Sequence, residues 1–231
     1  MNPDPLIIAL DVESVVEARV LVNTLGSSAN FYKVGLELYT ASGMDFVREL
    51  KHNGNRVFLD LKLYDIGETV KRAVAQVAKV GVDFLTVHAY PQVMAAAAAG
   101  AGPNLTILGV TVLTSFDDSD LRKMGYSGTV SELVSTRVKH AVEAGIGGIV
   151  CSPREVALVR AITGPRMALV TPGVRSAGAS VGDQKRVATP ADALANGADY
   201  LVIGRQVTRA TDPRAEIEKI RAEIAAARAR V

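Results

Sequence analysis

Cysteine is nearly missing from this chain: with Cys151 alone, no internal disulfide can form, and a reducing compartment suits the composition. Excess charge of one sign is missing too. The formal net charge is +2, so no strong field points to nucleic acid or to a membrane surface. No apolar run reaches membrane-spanning length, and the Ala95–Ala99 tract is too short and looks like helix. The opening Met1-Asn2-Pro3-Asp4-Pro5 lacks the charged and apolar regions of a signal peptide. Metal-ligand spacings are absent as well: there is no HxxxH and no CxxC, and His52, His88 and His140 are widely scattered. A cytoplasmic protein with neither metal nor membrane anchor is the expectation.

What the chain does have is 48% hydrophobic and 22% charged residues over 231 positions, ample for one core. Short β-rich apolar runs alternate with helical patterns throughout. The strand candidates are Leu6–Leu10, Phe31–Gly35, Val57–Leu63, Phe84–His88, Thr106–Leu113, Gly148–Cys151, Met167–Thr171 and Tyr200–Ile203. About eight parallel βαβ units in this length predict a closed (β/α)8 TIM barrel of the α/β class, as one domain over residues 1–231. The competing open sheet would carry a glycine-rich loop after its first strand, where Asp11-Val12-Glu13 stands instead. Helix signals fit the alternation. Ser14 precedes an apolar-periodic run ended by Gly26, Ser131 opens another closed by Gly145, and proline begins a last helix over Pro213–Arg230. Asp117–Thr129 reads as a loop with a short helix.

The richest stretch is Val57–Thr69. Period-two alternation puts Val57, Leu59, Leu61 and Leu63 on one face and Phe58, Asp60 and Lys62 on the other. Asp65 follows where the strand should end. Unpaired charge is costly to bury, so acid, base and acid at the end of an apolar strand suggest the mouth of an enclosed site. Other strands also end in polar or special residues: Asp11, Lys33, His88, Thr114, Ser152, Pro172, and Gly204 with Arg205. Parallel barrels build their sites at these ends. Gly204-Arg205 and Pro172-Gly173 suit an anion, through backbone N–H groups and a guanidinium. Arg175 and Gln184 bracket a glycine-rich piece that could close over a ligand. His88 reads as a core histidine and Cys151 as a core thiol. A protonated lysine between carboxylates suits a transition state with carbanion character, so decarboxylation fits, as does proton abstraction beside a carbonyl.

These residues resemble the orotidine 5'-monophosphate decarboxylase family along essentially the whole chain. The stretches are Ala9-Leu10-Asp11, Lys33-Val34-Gly35, Asp60-Leu61-Lys62-Leu63-Tyr64-Asp65-Ile66, Val112–Ser115, Val170–Arg175, Gly182–Arg186, Ile203–Arg205 and Thr208–Pro213. Their order and spacing carry the resemblance. It implies a cofactor-free enzyme converting orotidine 5'-monophosphate to UMP, built as a homodimer with active sites shared across the interface. Lys62 would donate the proton to C6, aided by Asp60. Lys33 and Asp11 would hold the ribose, and Asp65, Ile66 and Thr69 would serve the neighbouring subunit's site. Thr114 or Ser115 would bond the pyrimidine amide, Pro172 would line the base pocket, and Gln184 would link base to phosphate. Arg175, Gly204 and Arg205 would hold the phosphate.

Two departures stand out. Gly67-Glu68 replaces the Pro-Asn that many members carry before the threonine. Gly67 is also reminiscent of the magnesium-dependent 3-keto-L-gulonate 6-phosphate decarboxylases, which share the Asp-x-Lys-x-x-Asp motif. Gln206 replaces the proline that often follows Gly-Arg, with a local loop effect expected. A magnesium-dependent sugar-phosphate lyase or epimerase and a non-catalytic phosphate-binding barrel remain the alternatives.

Overall fold

A computed structural model describes residues 4–176 and 188–228. The elements run β1 (Leu6–Ala9), α1 (Val15–Leu25), β2 (Phe31–Gly35), α2 (Leu36–His52), β3 (Arg56–Leu63), α3 (Gly67–Val80), β4 (Phe84–His88) and α4 (Pro91–Ala101). They continue with β5 (Thr106–Val110), α5 (Asp118–Lys123), α6 (Val130–Glu143), β6 (Gly148–Val150), α7 (Val156–Thr163), β7 (Ala168–Thr171), α8 (Pro190–Ala195), β8 (Tyr200–Ile203), α9 (Arg205–Thr208) and α10 (Pro213–Arg228). Each strand pairs in parallel with its sequence neighbours, and β8 returns to β1, closing the predicted (β/α)8 barrel.

Strands buried on both faces need no polar alternation, and β1, Leu-Ile-Ile-Ala, has none. The alternation instead sorts side chains between two apolar layers. Leu59, Leu85 and Ile149 face the helices, whereas Ile7, Phe31, Phe58, Phe84, Leu108, Val170 and Val202 fill the barrel interior. Toward the N-terminal mouth, Phe84 packs edge-on against Phe31 and Tyr200, each at 5.2 Å between ring centroids. Higher up, Phe58 and Val202 form the floor of a cavity. The interior packing therefore closes one mouth and leaves the other open.

A short motif recurs half a barrel apart: Gly81-Val82-Asp83-Phe84 before β4 and Gly197-Ala198-Asp199-Tyr200 before β8. In each copy the aspartate accepts a backbone N–H from the preceding strand, Val57 at 2.9 Å and Leu169 at 2.8 Å. The aromatic residue that follows turns into the interior.

Boundary differences have local causes. β5 stops at Val110 rather than Leu113, and the Thr111 hydroxyl donates to the Val150 carbonyl just beyond. Helix α6 starts at Val130, one residue before Ser131, because Thr129 caps it and forms a reciprocal capping box with Glu132. The short helix expected in Asp117–Thr129 is α5, capped by Asp117. The described part of the last helix ends at Arg228.

Candidate active site

The open mouth holds a cavity of about 380 Å³ at the C-terminal strand ends. Its charged wall is a chain of alternating sign. Lys33 Nζ donates to Asp11 Oδ1 at 2.7 Å and lies 3.6 Å from Asp60 Oδ2. Lys62 Nζ donates to Asp60 Oδ1 at 2.9 Å. The chain runs from Asp11, 53% exposed, to the enclosed Lys33 and Asp60, 9% and 13% exposed. Burial alone would raise the Asp60 carboxyl, but Lys33 and Lys62 outweigh it and hold the group below its ordinary 3.8. Burial likewise works against the Lys33 ammonium, and Asp11 and Asp60 overcome it, holding Lys33 above 10.5. Asp60 and Lys33 are therefore both charged at neutral pH.

Local structure explains the placement. Lys33 lies on β2, pointing inward, and Gly35 follows it. A Cβ at Gly35 would lie 3.0 Å from Lys33 Nζ and 3.2 Å from Asp11 Oδ1, so glycine keeps room for that pair. On β3 the register shifts between Leu59↔Leu85 and Leu63↔Val87. The bulge gives Lys62 a left-handed backbone, φ 49°, which costs a side-chain-bearing residue about 1–2 kcal/mol. Bulges re-aim side chains next to active sites, and Lys62 reaches the cavity through this one.

The remaining walls divide by chemistry. Val110, Val112, Val150 and Cys151 are apolar, and Cys151 is buried in the wall. Leu113, Thr114 and Ser115 form one rim; Pro172, Gly173, Arg175 and Gly204 form the other. Of the residues singled out from the sequence, the cavity gathers Asp11, Lys33, Asp60, Lys62, Thr114, Ser115, Pro172, Arg175 and Gly204. Arg205 is exposed at the start of α9, next to Gly204. Asp65 and Ile66 are exposed between β3 and α3, and Thr69 lies in the first turn of α3; none of the three lines this cavity. Gln184 lies outside the described residues. His88 is half-buried, edge-on to Tyr64, and burial with the Arg137 and Lys62 charges lowers it below 6.5.

Three residues have roles that the sequence reading did not assign. Thr86 on β4 donates to Asp60 Oδ1 and accepts the Lys62 N–H, both at 2.9 Å. An apolar strand carrying one threonine gives no sign of this, because the contact depends on the bulge opposite. Gly35 is a second, and its sign was its place directly after Lys33-Val34. Gln206 is the third. Its carboxamide accepts the Ser176 N–H at 3.1 Å and donates to Ser176 Oγ and Glu216 Oε1 at 2.9 and 2.8 Å. It ties the residue after Arg175 to α10, a structural link beyond the local loop effect expected.

A closed parallel barrel with such a mouth defines a (β/α)8-barrel enzyme. Residues 4–220 match the family model described as Orotidine 5'-phosphate decarboxylase / HUMPS family, and the chain belongs to that family. It is 55% identical over 225 residues to a Bradyrhizobium sp. (strain ORS 278) protein named orotidine 5'-phosphate decarboxylase, covering 97% of this chain and 93% of that one. A Caulobacter sp. (strain K31) protein of the same name is 52% identical, covering 97% and 99%. The crystal structure of orotidine 5'-phosphate decarboxylase from Lactobacillus acidophilus superposes with a TM-score of 0.84 at 35% identity, covering 95% of this chain and 98% of that one.

Proposed function

We propose that this chain, as one barrel domain over residues 1–231, decarboxylates orotidine 5'-monophosphate to UMP and CO2 without a cofactor, the last step of de novo pyrimidine nucleotide synthesis. The observation that carries the reading is the chain Asp11–Lys33–Asp60–Lys62 at the cavity wall. When the bond from C6 to the carboxylate breaks, its electron pair stays on C6 in the ring plane, where the π system cannot spread it. A fixed ammonium must then supply the stabilisation; of the two at the cavity, Lys33 is already held between Asp11 and Asp60, and Lys62 is the candidate. It then gives a proton to C6 and later regains one from solvent. Asp60 holds that ammonium in place and faces the substrate carboxylate with like charge.

The other walls suit the rest of the nucleotide. Asp11 and Lys33 would bind the ribose hydroxyls, Thr114 or Ser115 the pyrimidine amide, and Pro172 the base. Arg175, Gly204 and Arg205 would hold the 5'-phosphate, with Gln184 linking it to the base. Gripping a phosphate remote from C6 can drive assembly of the site, so its binding energy would contribute to the chemical step. Asp65, Ile66 and Thr69, off their own cavity wall, would complete the site of a second subunit in a homodimer. The buried thiol of Cys151 suits a cytoplasmic setting.

Magnesium-assisted lyase chemistry on a sugar phosphate is the competing reading. The Lys33 ammonium already stands between the Asp11 and Asp60 carboxylates, where a dication would have to compete with it. The deciding experiment follows the absorbance of orotidine 5'-monophosphate with excess EDTA present. Undiminished turnover is expected; no turnover of the nucleotide in any buffer would sink the proposal.

A further inference from the structure

We propose that Thr86 is a positioning residue for the decarboxylation step, its one hydroxyl fixing both the backbone of Lys62 and the carboxylate that holds the Lys62 ammonium. The inference deepens the function proposed above and rests on it. Between Leu59↔Leu85 and Leu63↔Val87, β3 advances four residues while β4 advances two. The surplus is taken up around Lys62, the one non-glycine residue with positive φ among the described residues. A strained backbone persists only where its surroundings over-determine it. The Lys62 N–H is met by Thr86 Oγ1, a side chain rather than a ladder carbonyl.

The same oxygen donates its proton to Asp60 Oδ1, and that carboxylate oxygen also accepts from Lys62 Nζ. The result is a closed ring: Lys62 N–H, Thr86 Oγ1, Asp60 Oδ1, Lys62 Nζ. Both ends of the lysine are referred to one carboxylate oxygen. A hydroxyl can accept and donate through a single atom, which valine cannot do and serine can. Thr86 is fully buried, so no water replaces it without rearrangement. It is also absent from the cavity lining, so its effect must pass through Asp60 and Lys62 rather than through contact with substrate.

The test compares the wild type with Thr86→Val and Thr86→Ser. Thr86→Val should lower kcat about tenfold or more while KM and UMP affinity stay within about twofold; Thr86→Ser should recover kcat to within about threefold. A merely structural threonine would lower the melting temperature and the folded fraction, leaving kcat per folded site unchanged. Hydrogen exchange at the Lys62 amide supplies a second readout that needs no turnover. It should quicken about tenfold or more in Thr86→Val and return toward the wild-type rate in Thr86→Ser. Unchanged exchange in Thr86→Val, unchanged kcat, or loss of kcat that serine does not restore would each overturn the role of Thr86. Failure of the wild type to turn over the nucleotide would instead overturn the function on which it rests.

Discussion

The two mouths of the barrel are built from the same kinds of charge and arranged to opposite ends. At the N-terminal mouth, the Arg56 guanidinium lies 4.0 Å from the Phe31 ring centroid and within 5.7 Å of Phe84 and Tyr200. Asp83 collects Arg56, Lys51 and the Val57 N–H, at 3.3, 2.7 and 2.9 Å. The packed rings of Phe31, Phe84 and Tyr200 fill the barrel interior above this cluster. At the C-terminal mouth, Asp11, Lys33, Asp60 and Lys62 face a cavity. Pairing a charge and burying its neighbours makes a plug; pairing it beside open volume leaves a field for a substrate. If this contrast holds, disturbing the lower cluster costs stability and disturbing the upper one costs chemistry.

The strongest attempt to break the contrast is Lys62→Ala. Losing both charge stabilisation and the proton donor should lower kcat by about 10⁴-fold or more. UMP should still bind, and the melting temperature should stay within about 4 °C. Near-normal turnover would remove Lys62 from its role. Mixing Lys62→Ala with Asp65→Asn subunits should restore part of the activity through hybrid sites; no recovery would count against sites shared in a dimer.

Acid titration gives the next sharpest view of the upper mouth. The folded chain holds Asp60 below its ordinary 3.8, so below that pH the unfolded chain binds a proton that the folded one refuses. The stabilisation is present above 3.8 and is lost as pH falls toward the lowered value. Urea melts from pH 5 downward should therefore show a slope that Asp60→Asn lacks, at most about 1.4 kcal/mol per pH unit. Equal slopes for the two proteins would mean that Lys33 and Lys62 do not favour the ionised carboxylate as the geometry says.

For the lower mouth the expectation reverses. Arg56→Met keeps much of the side chain's bulk but gives up the cation–π contacts and the Asp83 pair, and should cost about 1–2 kcal/mol of stability. Thermal melts would read this as a loss of roughly 2–8 °C, with kcat unchanged. A fall in kcat without a fall in stability would mean that the two mouths are not separate in their work.

The barrel itself was legible because strand periodicity is a local property. Each β run in the sequence maps onto a strand, and Asp11, Lys33, Asp60 and Lys62 line one cavity. Alternation even put Asp60 and Lys62 on one face, although in the fold a register shift and a left-handed residue deliver Lys62 to it. Neither feature leaves a local trace, because a bulge is a relation between two strands. Thr86 was missed for that reason, and so was the link from Gln206 to Ser176, whose partners lie thirty residues apart. Thr129 was missed as a helix cap for a different reason: Ser131 offered the same chemistry two residues on, and only the reciprocal bonds with Glu132 decide between them.

Gly67 offers the smallest and finest test, because it asks how far the strain of the upper mouth extends. Five residues before it, Lys62 is held in an unfavourable backbone region. Gly67 is not, for it is the first residue of α3 and has no positive φ. A Cβ there would meet only the Ala96 Cβ, at an ordinary 3.6 Å. Ile66 before it, at φ −59° and ψ 145°, has the extended shape that a following proline requires. At this first helical position the amide has no partner within the helix, so proline removes no helical hydrogen bond. Gly67→Pro should therefore stabilise the protein by about 0.4–1 kcal/mol, chiefly by narrowing the unfolded ensemble, and raise the melting temperature by roughly 1–4 °C. A lower melting temperature would show that the chain needs glycine's freedom here, and that the strain centred on Lys62 runs on into the first turn of α3.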